Sequence, residues 1–95
     1  MSMKDDYIKR LQAQLDVWDA EIQKLKAQAE VAKADARLEY HKQLEELKKQ
    51  RQQAQQRLTE LREASNSAWD DLKAGADRAW DSMADAIKSA RERFK

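Results

Sequence analysis

IKRLQAQLDVWDAEIQKL, residues 8–25, places its apolar side chains at alternating steps of three and four. Ile8, Leu11, Leu15, Trp18, Ile22 and Leu25 therefore line one face of a helix. That heptad stripe is the pattern of a left-handed coiled coil. Downstream the stripe thins to alanine at Ala29, Ala32 and Ala36, then takes two consecutive steps of four through Tyr40 to Leu44. Such a stutter locally unwinds a supercoil. The pattern resumes through Leu44, Leu47, Arg51, Ala54, Leu58 and Leu61, with an arginine at a seam position.

Punctuation is nearly absent. The 95 residues contain no proline, no cysteine and one glycine, Gly75. Because proline and glycine mark most turns, the chain reads as all-α. The only cluster of turn formers is Ser65-Asn66-Ser67, with Ser67 and Asp70 spaced as a helix cap. Ser2 and Asp5 form a similar signal at the start, and Asp5 and Asp6 suit the positive end of a helix dipole.

The expected architecture is a single elongated unit. A long coiled-coil-forming helix spans about 3–64 and is roughly 90 Å long at ~1.5 Å per residue. A kink or turn follows at 65–67, then a shorter amphipathic helix at 67–94. An uninterrupted helix is the next reading, and a hairpin within the glutamine-rich stretch 50–56 the third.

The last third follows a different period. Trp69, Leu72, Ala76, Trp80, Met83, Ile87 and Phe94 share a face, and Trp69 and Trp80, Leu72 and Met83, and Ala76 and Ile87 are each eleven residues apart. An eleven-residue period suits a straight helix or one lying on a flat apolar surface. Asp70, Asp77, Asp81 and Asp85 are expected on the opposite face. Gly75 interrupts this helix at about 1 kcal/mol relative to alanine, a feature that would let another group approach the backbone.

Charge narrows the partners. Nineteen Lys+Arg against eighteen Asp+Glu leave a net +1, which argues against a general nucleic-acid binder. Residues 48–62 are locally basic through Lys48, Lys49, Arg51, Arg57 and Arg62, with Glu60 the sole acid. A helix spreads these around its circumference, so a solvated face is expected rather than a phosphate-binding patch. Residues 63–95 carry slightly more acid than base, giving no attraction to an anionic membrane. No apolar run approaches a membrane span, and the polar start has no signal-peptide core. A cytoplasmic protein is expected.

No catalytic constellation emerges. His41 is the only histidine, with Glu45 one turn away, short of the three or four ligands a zinc site needs. No glycine-rich loop is present for phosphates, and no converging loops would build a nucleophile and base. The expected protein is not an enzyme, holds no cofactor or metal, and takes no small-molecule substrate.

Three segments carry a family likeness: residues 7–18 (YIKRLQAQLDVW), 32–40 (AKADARLEY) and 68–80 (AWDDLKAGADRAW). Together they resemble a family of small bacterial coiled-coil proteins loosely described as stress-responsive. The resemblance implies a bacterial, cytoplasmic, all-helical protein with no established catalytic residue. Residues 68–94 are also similar, more weakly, to apolipoprotein repeats.

The function expected from the sequence is a structural protein that self-associates. Copies would join through Ile8, Leu11, Leu15, Trp18, Ile22, Leu25, Leu44, Leu47, Leu58 and Leu61, as a closed homo-oligomer or a filament. The stripe Trp69, Leu72, Ala76, Trp80, Met83, Ile87 and Phe94 would pack on the same or a neighbouring chain. In the alternative, that stripe enters a membrane or lipid surface.

Overall fold

The computed structural model describes residues 3–94. Three helices, α1 (Met3–Glu30), α2 (Ala34–Glu63) and α3 (Trp69–Arg93), run up, down and up. They form a bundle of 51 × 21 × 18 Å, and there is no strand among the described residues. The capping signal at Ser2 lies outside the described residues; Asp5 and Asp6 occupy the first turn of α1.

The expected long helix over 3–64 is instead two helices joined by a turn at 31–33. The reversal therefore falls neither in the glutamine-rich stretch, which lies inside α2, nor at a glycine or proline. Its physical reason is burial. An isolated 90 Å helix would leave both halves of its stripe in water, and apolar burial is worth roughly 25 cal/mol per Å². Folding back at the alanine-rich stretch lays Leu11, Leu15, Trp18, Ile22 and Leu25 against Leu44, Leu47, Leu58 and Leu61 within one chain. Ala29 is itself fully buried, whereas Val31 in the turn is 85% exposed.

A second turn occupies 64–68. The Ala68 N–H donates to the Ser65 carbonyl at 3.1 Å, and the Ser65 and Ser67 hydroxyls are 3.1 Å apart. Lys4 at the start of α1 hydrogen bonds to the Asn66 side chain. Ser67 does not cap α3, contrary to its spacing from Asp70. The N-cap is Ala68, in helical conformation and without a side-chain cap, because the turn directs the serine hydroxyl to Ser65.

α3 then returns beside α1. Its stripe completes the core with Ala76, Trp80, Met83, Ile87, Ala90 and Phe94, while Trp69 and Leu72 are partly buried at the edge. The core is entirely apolar, with no buried polar or charged residue among those described. α3 packs more extensively on α2 than on α1.

Candidate functional site

The residues expected to act on partners are the ones that hold the bundle together. Of the expected association set, Leu11, Leu15, Trp18, Ile22, Leu25, Leu44, Leu47, Leu58 and Leu61 are buried against other helices of the same chain, and Ile8 packs on them partly buried. The large exposed apolar side chains among the described residues are Met3, Val17, Val31 and Leu38, none of them a residue of either stripe.

Aromatic side chains tie the helices together at three levels. Tyr7 meets Trp69 edge-on with ring centroids 5.9 Å apart. One eleven-residue step further along both helices, Trp18 meets Trp80 at 6.1 Å. Near the far end Tyr40 stacks on Phe94 at 4.2 Å. The stutter that brings Tyr40 onto the stripe thus creates the platform for Phe94. Trp80 is only 8% exposed, and its indole Nε1–H has no hydrogen-bond partner.

Polar contacts cluster around this frame. The Tyr7 hydroxyl donates to the Asp77 carboxylate, which Lys73 Nζ also reaches at 3.2 Å. Burial together with the bond to Asp77 pushes the Tyr7 phenol well above its ordinary range. The bond from Tyr7, aided by Lys73, holds the Asp77 carboxyl below its usual range. Asp77 therefore flanks the stripe and meets α1, rather than standing on the face opposite the tryptophans as its spacing suggested. Lys73 also lies 4.8 Å from the Tyr7 ring centroid, in cation–π range.

Arg51, the arginine at the seam, reaches out of the core to Asp19. Its Nε and Nη2 donate to the two carboxylate oxygens at 2.9 and 3.0 Å, a bidentate fork. That bond is the main cause raising the Arg51 pKa above its ordinary value. α3 is tied down by Arg91 to Glu21 at 2.9 Å and Arg93 to Glu39 at 3.6 Å.

The basic stretch 48–62 does not form a continuous patch. Arg51 faces Asp19, Arg57 pairs with Glu60 at 3.2 Å, and Lys48 pairs with Glu45 at 3.7 Å. Arg62 donates to Gln12 at 2.9 Å. His41 and Glu45 line one shallow depression with Leu38 and Lys49. No group of three or more His, Asp or Glu suited to a metal ion occurs among the described residues. Gly75 lies in an open groove between α2 and α3, beside Arg57, Arg78 and Ser82. A Cβ placed on it would meet the Arg57 guanidinium at 3.9 Å, ordinary van der Waals contact, so the packing of α3 on α2 does not require glycine here.

Two features escaped the sequence pattern. Tyr7 sits one residue before the heptad stripe, and only its eleven-residue spacing to Trp18, the same as that from Trp69 to Trp80, marked it as a core neighbour. The Asp19–Arg51 pair joins residues 32 apart, and the only clue was an arginine at a seam position.

No protein family, curated protein or solved structure matches this chain. Among the described residues no helix is long and apolar enough to cross a membrane.

Proposed function

We propose that this chain is a non-catalytic helical scaffold that works by self-association, forming a homo-oligomer or filament. The observation that supports this is where its binding capacity lies. The apolar faces of the three helices are buried against one another within one chain, and the same faces of a second copy would satisfy them equally well on exchange. The grooves between the helices are open and shallow, unlike the enclosed pockets in which catalytic groups acquire shifted pKa values. The resemblance of the sequence to small bacterial coiled-coil proteins would associate this role with a stress response.

Sedimentation over a range of concentrations, with circular dichroism on the same samples, tests the reading. A helical species whose mass rises with concentration supports it, and a strictly monomeric bundle refutes it.

One observation favours a lipid-surface role as the second reading. An unpartnered buried N–H is unfavourable by about 1–3 kcal/mol, and Trp80 carries one. Opening the bundle at a lipid interface would offer the indole N–H a partner while its ring stays in an apolar medium. Release of α3 onto vesicles would change the tryptophan emission, and unchanged emission eliminates this role.

A further inference from the structure

The two turns of the bundle are built differently. The 64–68 turn has serine and asparagine in it, a backbone bond from Ala68 to Ser65 and the Lys4–Asn66 contact. At 31–33 most local signals oppose a stop, Asp35 in the first turn of α2 being the one that favours a helix start there. α1 ends on Glu30, with no basic residue in its last turn, so an acid faces the negative end of the dipole. No residue there is glycine and none among the described residues has positive φ, so the left-handed cap that ends many helices is absent. α2 begins after Lys33, a cation at the positive helix end that makes no side-chain cap. Within the turn, Ala32 N–H donates to the Ala29 carbonyl at 3.3 Å and Arg37 Nη2 to the Ala32 carbonyl at 3.2 Å. The Lys33 carbonyl accepts from Ala36 and Arg37 N–H at 3.0 Å as the first turn of α2, bonds that a straightened helix would keep. Glu30, Val31, Ala32 and Lys33 contain no helix breaker.

The stripe also runs on through the turn. Leu25, Ala29, Ala32, Ala36 and Tyr40 follow steps of three and four, so a straightened turn would join α1 and α2 into one helix with a single apolar line. We infer that this chain forms a domain-swapped dimer in which the 31–33 turn straightens and α1 docks on the α2–α3 hairpin of a second copy. The inference rests on the self-association reading and names its route.

The choice of exchanged element follows from the packing. α2 packs more extensively on α3 than on α1, so the α2–α3 hairpin stays together and α1 leaves. Each contact that α1 makes at home is remade in the partner: Tyr7 on Trp69, Trp18 on Trp80, Asp19 with Arg51 and Glu21 with Arg91. Exchange of an identical element needs no new surface, which makes it a route to dimers with little net free-energy cost. The two long helices cross antiparallel near Ala29, Ala32 and Ala36, where small side chains allow close approach. Straightening adds three residues to each helix. Converting one form to the other requires opening the core, so the forms interchange slowly and the product depends on concentration during refolding.

Ala34→Pro tests the hinge. Ala34 is the first residue of α2, and Lys33 before it has φ −62° and ψ 149°, the extended conformation that a residue preceding proline adopts. Proline is favoured at a helix's first position and breaks a helix interior. The variant therefore keeps the closed bundle and blocks the straight helix. Wild-type and variant chains are refolded from denaturant at low and high concentration, then measured by size exclusion with light scattering and by small-angle scattering. The expected wild-type dimer grows with refolding concentration and is roughly 90 Å or longer, from ~1.5 Å rise per residue, while Ala34→Pro stays monomeric. Insertion of two glycines after Ala32 is a second block and gives the same loss of dimer. If wild type dimerises and both variants dimerise equally, the swap is overturned while self-association through the outer surface survives. A wild-type chain monomeric at every concentration overturns both.

Discussion

Trp18 and Trp80 face each other across the α1–α3 interface, centroids 6.1 Å apart and ring planes inclined at 47°. Tyr7 and Trp69 repeat the relationship eleven residues earlier on both helices. α1 and α3 are parallel, so equal spacings on the two helices stay in register over three turns. The eleven-residue period of α3 is thus matched by an eleven-residue step in α1.

Truncating Trp18 removes a central support of the single-chain core. Trp18→Ala should destabilise the bundle by about 3–5 kcal/mol, the range for large aromatic-to-alanine changes. For a bundle this small the far-ultraviolet helical signal should fall at every concentration, including those where the chain is monomeric. Thermal melts of wild type and variant check this. An unchanged midpoint would mean that Trp18 is not packed as described.

Trp80 and Trp18 should respond differently to a milder change. Trp80→Phe loses ring volume but also removes an indole N–H that has no partner. Leaving that group buried is unfavourable by about 1–3 kcal/mol, so part of the lost packing is offset. Trp80→Phe should therefore destabilise the bundle less than Trp18→Phe in denaturant titrations.

Much of this architecture was legible in the sequence, and one decisive part was not. The stripes from Leu11 to Leu25, from Leu44 to Leu61 and from Ala76 to Phe94 are the three walls of the core; the steps of three and four found the first two and the eleven-residue period the third. The turn at 31–33 was illegible because nothing in Glu30, Val31, Ala32 or Lys33 reverses a chain. Those residues turn because the helices on either side bury more by meeting than by continuing, a long-range effect that local propensity does not encode. Asp77 was misplaced for a related reason: its contact with Tyr7 depends on where α1 lies beside α3.

Gly75→Ala should stabilise the protein. The position is inside α3, alanine is favoured over glycine there by about 1 kcal/mol, and the added Cβ meets only the flexible Arg57 head at 3.9 Å. Chemical denaturation should show a higher midpoint with an unchanged slope. A destabilised variant would show that the groove between α2 and α3 closes more tightly on Gly75 than its geometry indicates.

The Tyr7–Asp77 bond gives the bundle a distinct pH profile. Asp77 titrates below its ordinary value of 3.8 when folded. Its contribution is present above that value and is lost as pH falls through the lower folded-state pKa. Tyr7 is raised above its ordinary 10.0, so its contribution is present below pH 10 and is lost as pH climbs from there toward the folded-state pKa. Stability measured against pH should therefore fall at both ends, and Tyr7→Phe should flatten both falls relative to wild type. Asp77 is half exposed, so the acid-side effect is the smaller and weakens with added salt. The alkaline side discriminates best: if the difference between wild type and Tyr7→Phe stays constant from pH 8 through pH 11, the phenol is neither buried nor bonded to Asp77 as described.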